Sequence, residues 1–287
     1  TRGNGLAPLA VRGPNTGAIT SIRGDVSSQF ISSLLISSAV KDADTDIVLT
    51  TPLKSRPYVD ITREMMRRFG ANCQETPEGF HVPGGQRYRP QDYTIPGDFS
   101  SAAFPLAAGA LTGEVTVGNL DPSDAQGDRA FLDIMKAMGS RVEWRGTDLR
   151  CASAGLRGTD IDLGDAPDLF PMVAVLCACA EGRSRIYNAA HVRLKESDRI
   201  AATAAFLKDM GADVQETPDG CVIRGGRPLR GAAVDSHDDH RILMAAAVAA
   251  MVADGETIIR DGQCHRISYP GFVQDMRSLG AVMEMIP

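Results

Sequence analysis

Phe131-Leu-Asp-Ile-Met-Lys-Ala-Met-Gly139-Ser-Arg-Val-Glu143 places apolar residues at 131, 134, 135 and 138, then a glycine, then a short alternating run. Spacing of three and four is that of an amphipathic helix. The glycine suits a helix C-terminus that needs a left-handed residue. The same pattern recurs at Phe69-Gly70-Ala71, Met210-Gly211-Ala212 and Leu279-Gly280-Ala281, with successive glycines 69, 72 and 69 residues apart. A period near 70 is far longer than that of most solenoids, so the repeats predict a compact pseudo-symmetric α/β domain.

A second marker keeps the same period. Asp25, Asp98, Asp168 and Asp238 each precede an apolar helical run, at spacings of 73, 70 and 70. Asp before such a run predicts helix N-capping. The repeated unit reads as helix, short strands, second helix, glycine turn and strand pair. Strands are expected at Val115–Val117, Arg141–Glu143, Val214–Glu216 and Cys221–Ile223. The fourth unit, Ser236–Pro287, is one or two strands short of the others.

At 287 residues the chain suits about two domains. A hydrophobic fraction of 43% excludes a disordered chain. Thirty Lys and Arg against 36 Asp and Glu give a net charge of −6, which offers no general attraction to nucleic acid. The longest apolar runs, Leu169–Ala180 and Ile242–Ala253, fall short of the roughly 20 residues that span a bilayer, so no membrane association is expected. Six Cys without a C-x-x-C read as buried thiols in a reducing cytoplasm. The chain opens at Thr1 in a polar stretch, and the expectation is a piece of a longer protein.

The densest chemistry lies in His191-Val-Arg-Leu-Lys-Glu-Ser-Asp-Arg199, with Lys195, Glu196 and Arg199 spaced to share a helix face. A solvated charged helix start is an equal reading. Ser27-Ser-Gln-Phe30 is an uncharged helix start that suits phosphate or hydroxyl binding, or simple capping. Arg241 in Asp238-Asp-His-Arg241 is a candidate clamp for a carboxylate or phosphate. His237 and His240 resemble a metal pair, but no third ligand stands at a recognisable spacing. Asp168, ahead of an apolar helix, reads as a general base or as a cap.

These signals share one position in the repeat, the helix start, and that arrangement resembles the 5-enolpyruvylshikimate-3-phosphate synthase family of enolpyruvyl transferases. The stretches that carry it are Gly24-Asp-Val-Ser-Ser-Gln-Phe30, Ser55-Arg-Pro-Tyr-Val-Asp-Ile-Thr62, Gly97-Asp-Phe-Ser-Ser-Ala102, Pro167-Asp168, Val192-Arg-Leu-Lys-Glu-Ser-Asp-Arg199, Asp239-His-Arg-Ile-Leu-Met244 and Ser268-Tyr-Pro-Gly-Phe272. The resemblance implies an α/β (α+β) two-domain fold of repeated βαβαββ units. Residues 1–93 would be the C-terminal part of an incomplete upper domain, 94–287 the lower domain of three repeats, with a hinge near 94–97. A preceding segment would supply further substrate contacts and a strand. The 287-residue polypeptide alone is therefore expected to lack transferase activity and to self-associate, and the full-length enzyme to be monomeric.

The implied reaction joins phosphoenolpyruvate to the 5-hydroxyl of shikimate 3-phosphate and releases phosphate, in aromatic amino acid biosynthesis, with small anionic substrates and neither metal nor cofactor. By resemblance Ser27, Ser28, Gln29, Ser55, Tyr58, Asp168, His191 and Lys195 belong to the shikimate 3-phosphate site. Gln29, Arg199, His240 and Arg241 belong to the phosphoenolpyruvate site. Asp168 takes the general-base role, Lys195 binds the reacting hydroxyl and Glu196 moves the proton at C3. Carboxylates beside cations are ordinarily ionised, so Glu196 needs shielding to serve as an acid. Two positions depart from the family: His191 stands where many members have Asn, and Ile267, beside Arg266, where many have a Lys. Rival readings are a UDP-N-acetylglucosamine enolpyruvyl transferase, a non-catalytic ligand-binding fragment and, more distantly, a metal-dependent hydrolase on His237 and His240.

Overall fold

The computed structural model describes residues 10, 13 and 17–286. They form two compact units. One contains the residues up to Leu53 together with Val59–Asp92; the other contains Lys54–Tyr58 and the residues from Tyr93 onward. The segment Lys54–Tyr58 thus packs with the second unit although its chain neighbours on both sides belong to the first.

The first unit runs β1 (Ile19–Ile22), α1 (Ser28–Ser38), β2 (Thr45–Leu49), α2 (Arg56–Arg68, from Val59 onward), β3 (Gln74–Thr76) and β4 (Gly79–Val82). Its sheet order is β1-β2-β4-β3. The β1–β2 pair is parallel and the other two pairs are antiparallel, because a helix crosses between β1 and β2 while a tight turn joins β3 to β4. Of the apolar residues of α1, Ile31 and Leu35 are buried with Ile47, Val59, Met66 and Phe80, whereas Phe30 and Ile36 stay exposed.

The second unit continues α3 (Phe99–Thr112), β5 (Glu114–Val117), α4 (Ala130–Ala137), β6 (Arg141–Arg145), β7 (Asp148–Ala152), β8 (Asp160–Asp162), α5 (Phe170–Cys179), β9 (Gly182–Tyr187), α6 (Arg199–Asp209), β10 (Asp213–Thr217), β11 (Gly220–Gly225), β12 (Ala233–Val234), α7 (His240–Ala250), β13 (Ile258–Ile259) and α8 (Phe272–Ser278). The sheet β8-β9-β11-β10 repeats the order and pairing senses of the first unit's sheet. The sheet β5-β7-β6 is the same design without its first strand, and β12-β13 is the parallel pair without the hairpin. The strands therefore sit in separate small sheets.

The helices α3, α5 and α7 pack on one another. The segment Phe170–Ala178 of α5 is buried on every side, as its apolar composition requires. Each large apolar side chain so buried contributes about 1.5–3 kcal/mol. Helices α4, α6 and α8 are amphipathic and end at the repeated glycines. Gly70, Gly139, Gly211 and Gly280 all have φ between +88° and +99°. In each case the next residue donates its N–H five residues back: Ala71 to Met66, Ser140 to Met135, Ala212 to Leu207 and Ala281 to Met276. This is the Schellman closure that a left-handed residue permits.

The aspartate marker needs correction. Asp98 does cap α3, accepting from the N–H groups of Ser100 and Ser101. Asp25 instead pairs with Arg23 and accepts from Thr51, leaving Ser27 to cap α1. Asp239, not Asp238, caps α7. Asp168 lies inside the 3-10 turn Pro167–Leu169 and caps nothing.

Two glycine substitutions separate backbone cost from steric cost. At Gly211 an added Cβ meets open space, so Gly211→Ala should cost only the left-handed penalty, about 1–2 kcal/mol. At Gly220 a Cβ would stand 1.9 Å from the Ile186 carbonyl oxygen. Gly220→Ala must part β11 from β9, and urea denaturation should show a clearly larger loss of stability than for Gly211→Ala.

Candidate active site

Three chain segments of the second unit bring charged side chains to one place: the turn before α5, the turn before α6 and the start of α7. The charged run 191–199 does not lie along one helix face. Ala190–Leu194 is a 3-10 turn, Lys195 is extended, and α6 begins only at Arg199 because Asp198 caps the Ala201 N–H. The run divides its labour. Arg193 ties the turn down through Asp198, Glu216 and the carbonyls of Thr217 and Pro218. Lys195 and Arg199 turn inward to the cluster, and the exposed Glu196 reaches it through Arg199.

Arg199 is its hub. Its side chain is 1% exposed, and all three nitrogens are engaged. Nε and Nη2 reach Asp239 at 2.8 and 3.2 Å, Nη1 reaches Asp168 at 2.8 Å, and Nη2 also reaches Glu196 at 2.5 Å. Asp239 is 0% exposed and accepts in addition from Ser197 Oγ and the Arg241 N–H. Asp168 also holds Lys195 Nζ at 3.3 Å and Arg241 Nη2 at 3.2 Å. Arg241 Nη1 donates to Ser100 Oγ at the start of α3.

Burial opposes charge on Asp168, but Arg241, Lys195 and Arg199 outweigh it and hold the carboxyl well below the usual carboxylate range. Asp239 is lowered in the same way, its burial outweighed by the Arg199 hydrogen bond and charge. His240 is buried, with Nδ1 lacking a hydrogen-bond partner among the described residues. Burial and then Arg241 push its pKa down, favouring the neutral ring.

Tyr58 donates its hydroxyl to Asp128 Oδ2 at 3.0 Å. Asp128 is buried, and desolvation followed by the Asp168 charge pushes it up to about 6. Ser55, also buried, has φ +54° and donates its N–H to the Gly164 carbonyl. His191 is buried on the 3-10 turn. Ser27, Ser28 and Gln29 belong to the first unit, where Ser27 accepts from the Gln29 N–H, Ser28 is buried and Gln29 is exposed. Arg266 and Ile267 are exposed on the 3-10 turn Cys264–Ile267. Among the described residues no group of three or more His, Cys, Asp or Glu is arranged to hold a metal ion, and His237 is an exposed turn residue with φ +53°.

Asp168, Lys195, Glu196, Arg199 and Arg241 thus come together. Sequence reading missed Asp239, Asp128 and Ser100. The Asp238-Asp239 pair contained the first, off by one residue. The Gly97-Asp-Phe-Ser-Ser101 motif contained Ser100 as an apparent capping partner. Nothing in the local pattern around Asp128 marked it.

Several known proteins share this chain's sequence and fold. The family model described as EPSP synthase (3-phosphoshikimate 1-carboxyvinyltransferase) matches residues 1–276. A 3-phosphoshikimate 1-carboxyvinyltransferase of Methanocorpusculum labreanum is 51% identical over 284 residues, 99% of this chain and 67% of that protein. The enzyme of the same name from Methanocaldococcus jannaschii is 46% identical over 98% of this chain and 66% of its own length. The chain spans about two thirds of the length of these curated relatives. Among solved structures, an EPSP synthase from Acinetobacter baumannii superposes with a TM-score of 0.78 at 28% identity, over 93% of this chain and 63% of that one. The enolpyruvyl transferase NikO from Streptomyces tendae shares the fold, with a TM-score of 0.73 at 21% identity over 93% of this chain and 65% of that one.

Two outcomes test the charge cluster. Arg199→Met leaves Asp239 buried and without its counter-ion, so chemical denaturation should show a loss of about 3–5 kcal/mol. Acid should also weaken the fold. Asp168 and Asp239 have depressed folded pKa values, so the stability they contribute is present above the unfolded carboxylate pKa of about 3.9 and disappears as pH falls through the folded values. Asp128, raised to about 6, acts in the opposite sense, its contribution being lost as pH rises from about 4 to 6. Asp128→Asn should remove the descending limb between pH 4 and 6 while leaving the acid limb in place.

Proposed function

Because the chain belongs to the EPSP synthase family, we propose that it carries most of a transferase that moves the enolpyruvyl group of phosphoenolpyruvate to the 5-hydroxyl of shikimate 3-phosphate. The observation that carries this reading is a partly buried, ionised Asp168 held among Lys195, Arg199 and Arg241. Two small polyanions need cations that do not depend on metal, and a hydroxyl nucleophile needs an acceptor for its proton.

Asp168 is a weak base while three cations surround it. Anionic substrates drawn to Lys195 and Arg241 divert those charges and raise the proton affinity of Asp168 at the moment the acceptor hydroxyl attacks. The hydroxyl oxygen then bonds to C2 of phosphoenolpyruvate as C3 gains a proton, giving a tetrahedral intermediate. Loss of phosphate and of a proton from C3 restores the double bond on the transferred group.

Lys195 has donors left beyond its 3.3 Å contact to Asp168 and is assigned to the hydroxyl. Glu196, on the half-exposed side of the cluster, is assigned to the proton at C3 and is oriented by Arg199. Arg241, fixed by Ser100 and Asp168, is assigned to phosphoenolpyruvate. Arg199 has each nitrogen occupied by a carboxylate, which supports a positioning part in this arrangement. Ser55 and Tyr58 of the second unit, and by family resemblance Ser27, Ser28 and Gln29 of the first, are assigned to shikimate 3-phosphate, and His240 adjoins Arg241 in sequence.

The step belongs to aromatic amino acid biosynthesis. A cytoplasmic setting fits six cysteines that are all free, and no helix among the described residues is long and apolar enough to cross a membrane.

The deciding experiment is a transfer assay on the full-length protein with shikimate 3-phosphate and with UDP-N-acetylglucosamine as acceptors. Turnover is expected with the first only. Asp168→Asn should reduce kcat by roughly 10²–10⁴. A rate within a few-fold of the parent would remove Asp168 from the general-base role.

A further inference from the structure

Beside the Asp168 cluster lies a second group of polar side chains, around His191 and Lys54. His191 is 8% exposed, and its Nε2 has no hydrogen-bond partner among the described residues. Burial, then Lys195, then Lys54 hold its pKa down to about 4, against a weaker opposing pull from Asp168 and Asp165. The ring is therefore neutral at physiological pH, offering one N–H and one lone pair.

The two lysines differ in what neutralises them. Lys195 stands 3.3 Å from Asp168 Oδ1. Lys54 donates to Asn188 Oδ1 at 2.6 Å and forms no ion pair among the described residues. Asn188 is itself locked. Its φ is +60°, its Nδ2 donates to Asp162 Oδ1 at 2.8 Å, and its backbone N–H donates to Asp219 Oδ2 at 2.9 Å. A side chain at Gly164 would put a Cβ 2.4 Å from that Nδ2, so the glycine keeps the room this arrangement needs. The amide oxygen so presented is a neutral rest for the Lys54 ammonium. It orients the charge without cancelling it, and it leaves two N–H donors and the full positive charge for a ligand.

We propose that Lys54, together with the unpartnered Nε2 of His191, is a further binding residue of the acceptor site and receives the phosphoryl group of the acceptor. The inference rests on the enolpyruvyl-transfer reading for the identity of that acceptor. A phosphoryl group is the fitting occupant because a dianion rewards a cation that no carboxylate has already paired, and Lys54 is the cation beside His191 that meets this description. Lys54 also immediately precedes Ser55, in the five-residue segment that packs with the second unit. The geometry makes Lys54 a determinant of specificity for a phosphorylated acceptor over its dephosphorylated form.

The test is steady-state kinetics of the full-length protein and of its Lys54→Met and Lys54→Arg variants, with shikimate 3-phosphate and with shikimate as acceptors. Lys54→Met should raise KM for shikimate 3-phosphate roughly ten- to hundredfold, the usual worth of one charge-assisted hydrogen bond. KM for shikimate and for phosphoenolpyruvate should stay within about twofold, and Lys54→Arg should recover most of the loss. An equal rise for both acceptors, or an unchanged KM for the phosphorylated one, would overturn the proposal while leaving the transferase reading intact. If the full-length parent turns over neither acceptor, the transferase reading fails by itself, and calorimetry with inorganic phosphate decides the remainder. Weaker binding by Lys54→Met than by the parent supports the phosphoryl subsite, and equal binding removes it.

Discussion

The buried pair of Arg199 and Asp239 is the constraint on which the site depends. A guanidinium that is 1% exposed and a carboxylate that is 0% exposed must satisfy each other, since each alone would be costly to desolvate. Asp239 accepts from two Arg199 nitrogens, from Ser197 and from the backbone N–H of Arg241. One side chain thereby sets the start of α7, the position of Arg241 and the orientation of Arg199. Arg199 in turn holds Asp168 and Glu196. Such a network contributes little net stability compared with an apolar replacement; its value is in specifying a single arrangement. Three carboxylates around one guanidinium leave an excess of negative charge, which Lys195 and Arg241 offset at Asp168.

The helices bring these groups together because the chain repeats. In the second unit each repeat delivers a buried helix whose N-terminal turn emerges at the cluster: Ser100 at α3, Asp168 before α5 and Arg241 at α7. The amphipathic helix of the same repeats supplies the rest, since Lys195 and Glu196 precede α6. The glycine closures at the far ends of α4, α6 and α8 reverse the chain into the following segment. Local chemistry at a helix C-terminus thus supports chemistry at the N-termini of its neighbours.

Much of this was legible in the residues. The 69- to 72-residue glycine spacing reported the repeat because φ near +90° is a local demand that only glycine meets cheaply. The site residues Asp168, Lys195, Glu196, Arg199 and Arg241 were visible as charges crowded at helix starts. Less legible was what each charge does. Arg193 and Asp198 look the same in sequence as Lys195 and Glu196, yet one pair braces a turn and caps a helix while the other joins the cluster. The aspartate period also misled at Asp25 and at Asp238, where the capping residue is Ser27 and Asp239 respectively. Capping depends on which side chain reaches the first free N–H groups, a matter of one residue that a period of 70 does not resolve.

Sequence alone determined the elements whose causes are local: helices from apolar spacing, their ends from glycine, the number of repeats and the residue types available for anion and proton chemistry. Tertiary structure decided which of those residues meet. The union of Arg199 with Asp239 joins residues 40 positions apart, Tyr58 with Asp128 residues 70 apart, and Lys54 with Asn188 residues 134 apart. No local pattern encodes such distances. The first follows from packing α6 against α7, and burial there is what makes an unpaired charge too costly to keep.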